Sequence, residues 1–128
     1  MSKGRILIID DDLDLQRGLG IRLNAEGYEV VAAADAVSAT TVARREKPDV
    51  IILDLGLPGG DGYVVMDRLK SLLVGSIPVI VLSARDPATD RDRAKAGGAV
   101  AYFQKPVSNR ALLSAIERAR AGVESVRV

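Results

Sequence analysis

The sequence has 128 residues, a mass of 13.6 kDa and a formal net charge of +1; that is enough chain for one domain with a real core, and too little charge bias to argue for a nucleic-acid or membrane surface. It contains no cysteine and no histidine, which excludes disulfides, a thiolate nucleophile, an imidazole base, a cysteine or histidine metal site and an internal phosphohistidine. No apolar run approaches the ~20 residues of a membrane span, and the polar opening Met1-Ser2-Lys3-Gly4-Arg5 is not a signal peptide, so a cytoplasmic location is expected.

Arg5 to Ile9 reads as a buried strand that ends in three acids, Asp10, Asp11 and Asp12. An amphipathic helix follows from Leu13 to Glu26, with Leu15, Leu19 and Leu23 inward and Ile21 and Ala25 as further inward candidates; Gly27 stops it. Tyr28 to Ala33 is a second strand, and Asp35 caps a helix through Glu46 with Ala36, Ala39, Val42 and Ala43 inward. Val50 to Leu53 is apolar, β-branched and without alternation, as expected of a strand buried on both faces. Asp54 stands at its end, and Pro58, Gly59, Gly60, Asp61 and Gly62 force a loop.

The spacing then predicts a helix from Tyr63 to Val74, with Val64, Val65, Leu69, Leu72 and Leu73 apolar, broken by Gly75-Ser76. Pro78 to Leu82 is a fourth strand, ending at Ser83-Ala84. Asp86-Pro87 starts a charged helix to about Ala96 that has only alanines for a buried side. After Gly97-Gly98, Ala99 to Phe103 is a fifth strand leading to Gln104-Lys105-Pro106, and Ser108 caps a last helix. Five strand–helix alternations with short connections imply a parallel sheet with helices on both faces, a three-layer doubly wound α/β sandwich.

In such a sheet every strand delivers its carboxyl end to one edge, where ligands sit. The edge receives Asp10 and Asp11, then Asp54, Ser83 and Lys105. Singly, these residues read as caps, a turn residue and a solvated lysine; together they form a site. Carboxylates ~4 Å apart repel by about 4 kcal/mol at an effective dielectric near 20, so a cation is needed. Oxygen-only ligands favour a hard divalent ion, magnesium above all. Such an ion beside a positioned carboxylate, a hydroxyl and a lysine suits phosphoryl transfer to an aspartate.

Taken together, Ile8-Ile9-Asp10-Asp11-Asp12, Leu53-Asp54-Leu55-Gly56-Leu57-Pro58, Asp61-Gly62, Val81-Leu82-Ser83-Ala84 and Ala101-Tyr102-Phe103-Gln104-Lys105-Pro106 resemble the receiver domains of two-component response regulators, from Arg5 to about Ala121. The resemblance implies a flavodoxin-like sheet of order 2-1-3-4-5. It implies residues 1–121 as the receiver domain and 122–128 as a tail or the start of a linker helix. Asp54 would be the phosphoacceptor. Magnesium, for which manganese or calcium could substitute, would be held by Asp11 directly, by Asp10 mostly through water, by Asp54 and by the Gly56 backbone carbonyl. Ser83 and Lys105 would meet phosphoryl oxygens, and Tyr102 would turn inward as Ser83 moves. The donor would be a sensor histidine kinase or a histidine phosphotransfer protein. The output face would be that of the fourth helix, fifth strand and fifth helix, read by an unidentified partner or effector domain. The domain would be no enzyme beyond catalysing its own phosphorylation and dephosphorylation. Gly59-Gly60 departs from the bulkier residues usual before Asp-Gly, which predicts a looser loop, and Ser83 stands where threonine is also common.

A rival reading is a haloacid-dehalogenase-like phosphatase with Asp10 as nucleophile and Asp12 as acid/base; it lacks a later acidic pair and a cap segment, and leaves Asp54 without a role. No helix-turn-helix, zinc module or basic stripe is present, so direct nucleic-acid binding by this chain is not expected. Leu112, Ile116, Ala119, Val123 and Val126 step like a short heptad seam. Packing of the first three on the sheet, with a frayed tail after Gly122, is the preferred reading over a signalling helix.

Overall fold

A computed structural model describes residues 2–58, 61–72 and 77–122. The apolar runs form five strands, β1 (Arg5–Ile9), β2 (Glu29–Ala33), β3 (Val50–Leu53), β4 (Val79–Ser83) and β5 (Ala99–Gln104). Between and after them lie α1 (Leu13–Ala25), α2 (Ala36–Glu46), α3 (Gly62–Leu72), α4 (Pro87–Ala96) and α5 (Asn109–Arg120). All strand pairs are parallel and the order is β2-β1-β3-β4-β5, as the family resemblance implies.

Alternation along the strands sorts the core into two layers. Leu7, Ile9, Ile51, Leu53, Val79 and Val81 pack with Ala36, Ala39 and Ala43 of α2, Val65, Met66 and Leu69 of α3, and Ala94 of α4. Ile6, Ile8, Val50, Ile52, Ile80 and Leu82 face the other way, onto Leu23 of α1 and Leu112, Ile116 and Ala119 of α5. Each large aliphatic side chain so buried stabilises the fold by about 1.5–3 kcal/mol, which makes the three central strands the rigid part of the molecule. Asp12, Asp35, Asp86 and Ser108 each cap a helix by accepting a backbone N–H.

Several expectations shift. Ile21 is 66% exposed and Ala25 is also outside; α1 presents one narrow stripe, and apolar residues beside such a stripe, like Val64 of α3 at 46%, stay in solvent at little cost. Strand β2 begins at Glu29, because Tyr28 still closes α1 by donating its N–H to the Leu23 carbonyl. Helix α3 begins one residue early, at Gly62, while β4 and β5 extend to Ser83 and Gln104. Leu112, Ile116 and Ala119 do pack on the sheet. The Gly59-Gly60 loop, Leu73, Val74, the Gly75-Ser76 break, and Val123 and Val126 lie outside the described residues.

Candidate functional site

The carboxyl ends of β1, β3, β4 and β5 converge as the topology requires. The sheet runs one residue past the regular strands here: the Asp54 N–H donates to the Ile9 carbonyl at 2.9 Å and the Asp10 N–H to Ala33 at 3.0 Å. Both acids are therefore fixed by backbone, and as residues they are only 2% (Asp10) and 8% (Asp54) exposed. Asp11 is exposed. One oxygen from each of Asp10, Asp11 and Asp54 can be chosen so that all three lie within 4.8 Å of one another. Among the consecutive acids the division of labour is clear. Asp12 is the cap, its Oδ1 accepting the Leu15 N–H at 3.1 Å, while Asp10 and Asp11 face the edge.

Burying like charges requires compensation. Lys105 Nζ lies 2.8 Å from Asp10 Oδ2 and 3.5 Å from Asp54 Oδ2. The lysine is placed by the backbone, since its N–H donates to the Ser83 carbonyl at 2.7 Å. Other carboxylate oxygens are held by main-chain donors, Asp12 N–H on Asp10 Oδ1 at 2.9 Å and Gly56 N–H on Asp54 Oδ1 at 3.1 Å. Burial pushes the Asp10 carboxyl above its ordinary range, against the pull of Lys105. Burial alone would depress the Lys105 ammonium, but its bond to Asp10 and the charges of Asp10 and Asp54 outweigh that and raise it.

Ser83 is 1% exposed, and its hydroxyl oxygen accepts the Arg85 N–H at 3.1 Å. Tyr102, expected to turn inward as Ser83 moves, is already buried and inward here, donating its hydroxyl to the Arg85 carbonyl at 3.3 Å; burial raises its phenol. The loop after Asp54 is tied back by Gly62, whose N–H donates to the Leu55 carbonyl at 3.0 Å. A Cβ at Gly62 would collide with Leu55 Cα and lie 2.7 Å from that carbonyl oxygen, so only glycine permits the approach.

Four participants were not anticipated. Gln16 Nε2 donates to the carbonyls of Asp10 at 2.6 Å and Ala33 at 2.9 Å, stitching the ends of β1 and β2. Arg85 joins Ser83 to Tyr102. Half-buried Tyr63 of α3 pairs with buried Asp90 of α4 at 2.7 Å. The signal for Asp90 was spacing: it precedes buried Ala94 by one helical turn and so shares its inward face.

Three carboxylates supplying oxygen alone, one of them open to solvent, suit a hard divalent cation that retains waters; the donor set fits magnesium. The same edge offers a buried carboxylate, a hydroxyl and an ammonium.

Residues 6–117 match the family described as the response regulator receiver domain. Among curated proteins, the chain is 43% identical over 101 residues to the transcriptional regulatory protein KdpE of Mycobacterium tuberculosis, covering 79% of this chain and 44% of KdpE. It is 36% identical over 119 residues to Protein PilH of Pseudomonas aeruginosa, covering 92% of this chain and 98% of PilH. The chain thus spans less than half the length of the curated transcriptional regulators it matches, 44% to 46%. Among solved structures, it is similar to the receiver domain of the sensor histidine kinase PA1611 from Pseudomonas aeruginosa, described with a magnesium ion coordinated in the active site cleft; the TM-score is 0.83 at 28% identity, covering 92% of this chain and 98% of that one. None of these matches supports the phosphatase reading.

Proposed function

The chain belongs to the response regulator receiver domains of two-component systems, and on that footing we propose that Asp54 is its phosphoacceptor. The observation that carries this is the buried Asp54 carboxylate at the end of β3, with oxygens of Asp10 and Asp11 within 4.8 Å and Lys105 at 3.5 Å. The donor is the phosphohistidine of a sensor histidine kinase or of a histidine phosphotransfer protein. An Asp54 oxygen attacks phosphorus, the phosphorus–nitrogen bond breaks, and the imidazole leaves with the electron pair. The product is an acyl phosphate. Attack of water at phosphorus later breaks the acyl oxygen–phosphorus bond, releasing inorganic phosphate and returning the carboxylate, so the domain catalyses its own phosphorylation and dephosphorylation.

Magnesium would be held by Asp11, Asp54 and the Gly56 backbone carbonyl, with Asp10 acting mostly through water; manganese or calcium could take the same oxygens. When bound, the ion supplies positive charge to the phosphoryl oxygens and to the three carboxylates. Asp10 and Asp54 are kept in place by main-chain donors, so little reorganisation precedes attack. Lys105 transfers its ammonium from the carboxylates to a phosphoryl oxygen, the Ser83 hydroxyl donates to another, and Tyr102 repacks with Ser83. Those changes switch the face of α4, β5 and α5, which an unidentified partner or effector domain reads. Residues 1–121 form the domain, with 122–128 as tail or linker-helix start, and the reaction takes place in the cytoplasm. In support, the similar PA1611 receiver is described with magnesium in its cleft.

Intact-mass measurement after incubation with a small phosphodonor and magnesium tests the assignment. Wild type should gain one base-labile phosphoryl group and Asp54→Asn none. Equal modification of both, or label mapped to Asp10, refutes it.

A further inference from the structure

Helix α4 has one fully buried apolar side chain among its described residues, Ala94, yet it also buries a carboxylate, Asp90, to 6% exposure. A buried acid on a moving helix is costly unless its partners are part of the movement. Those partners are Tyr63 of α3, whose hydroxyl donates to Asp90 Oδ1 at 2.7 Å, and Arg85, whose Nη1 lies 3.8 Å from Asp90 Oδ2. Arg93 stacks on the Tyr63 ring, 3.8 Å from its centroid. Burial and the bond to Asp90 push the Tyr63 phenol up to about 12, so it remains a donor at neutral pH.

The two ends of this pair are anchored very differently. Tyr63 directly follows Gly62, which is clamped against Leu55, the neighbour of Asp54. Asp90 belongs to the helix with little apolar hold, and Arg85 connects it through its own backbone to the Ser83 hydroxyl and the Tyr102 hydroxyl. In this arrangement the Ser83 oxygen is engaged by Arg85 N–H and the Lys105 ammonium by Asp10. The Lys105 ammonium that would answer a phosphoryl is thus held by a carboxylate, while the Ser83 hydroxyl keeps its own proton to donate and Tyr102 is already inward.

We propose that Tyr63 is a positioning residue of the switch: its hydroxyl, gripping Asp90, is the fixed post of a latch that holds α4 and the Ser83–Arg85 segment at rest. The inference rests on the phosphoacceptor reading. Movement of Ser83 towards a phosphoryl oxygen, to which its hydroxyl donates, draws its oxygen away from the Arg85 N–H, slackens the Arg85–Asp90 contact, and leaves the Tyr63 bond as the remaining restraint on α4. The latch therefore sets how much phosphoryl binding energy goes into moving the helix.

Tyr63→Phe removes only the hydroxyl and keeps the ring under Arg93. Two readouts in the full chain decide the matter, amide hydrogen exchange over residues 87–96 without ligand, and beryllofluoride affinity in magnesium followed by amide shifts. Loss of a hydrogen bond to a charged group predicts about tenfold faster exchange and about tenfold tighter beryllofluoride binding. Asp90→Asn should act in the same direction, and the double variant should do no more than the stronger single. Faster exchange with unchanged affinity would make the pair a mere strut and overturn the latch, as would full additivity of the two variants. Absence of beryllofluoride binding by wild type, or equal binding by Asp54→Asn, would instead bring down the phosphoacceptor reading and the switch role with it.

Discussion

The Lys105 ammonium sits closer to Asp10, at 2.8 Å, than to Asp54, at 3.5 Å. Its first partner is thus a buried acid whose carboxyl is already raised by burial. Lys105→Met should strand that acid and cost about 2–3 kcal/mol at neutral pH. The sign with pH is fixed by the shift. A carboxyl with a raised folded-state value stabilises the fold fully below its unfolded value of 3.8, and that contribution is lost as pH rises through the folded value. The variant should therefore recover on acidification, and urea unfolding at pH 7 and near pH 4.5 measures this. An equal loss at both would mean that the lysine acts by packing alone.

Asp11 is the exposed member of the acidic trio. Asp11→Ala should weaken magnesium binding by about tenfold or more, the scale of even outer-shell ligand changes. It should leave the unbound fold as stable or more so, since like charges within 4.8 Å repel by roughly 3–4 kcal/mol at an effective dielectric near 20. A magnesium titration with unchanged affinity would remove Asp11 from the ligand set.

Gly62→Ala should destabilise by about 1–3 kcal/mol, because a Cβ there meets backbone atoms of Leu55 and not a yielding side chain. The midpoint of denaturant unfolding reads the effect. A midpoint equal to wild type would show that the Leu55–Gly62 contact is not tight in solution.

The strand-end acids were legible because each closes an unbroken apolar run, and a parallel topology brings all such ends to one edge. The same logic identified Ser83 and Lys105, which follow β4 and β5 with the least freedom. Residues that act between helices were not legible. Asp90 lies 27 positions from Tyr63, and no local pattern reports how two helices are set against each other; a charged stretch in α4 reads as solvated until its register with Ala94 is considered. Ile21 and Ala25 erred in the opposite direction, since hydrophobicity marks a candidate stripe but not which edge of it the neighbouring element covers. Gln16 reads as a surface amide, and only the proximity of the Asp10 and Ala33 carbonyls gives it a task.

Ser83 provides the sharpest test of the switch. Phosphorylation adds about −1.5 to −2 charges at Asp54. Moving a two-state element from 1:99 to 99:1 needs about 5.5 kcal/mol of differential stabilisation. Charge-assisted bonds from Ser83 and Lys105, at about 1.5–3 kcal/mol each, approach that together but not singly. Removing the hydroxyl should therefore leave phosphorylation intact and starve the conformational change. In wild type, beryllofluoride should shift amide resonances from Ser83 to Lys105, while α3 moves far less because Gly62 pins its start to Leu55. Ser83→Ala should still accept phosphate at Asp54, yet lose most shifts in α4 and around Tyr102. The Arg85 N–H would already be without its Ser83 acceptor in that variant, so residual shifts near Arg85 before ligand are expected. Should Ser83→Ala reproduce the full wild-type pattern with beryllofluoride, the hydroxyl is not the trigger, and Lys105 must supply the coupling alone.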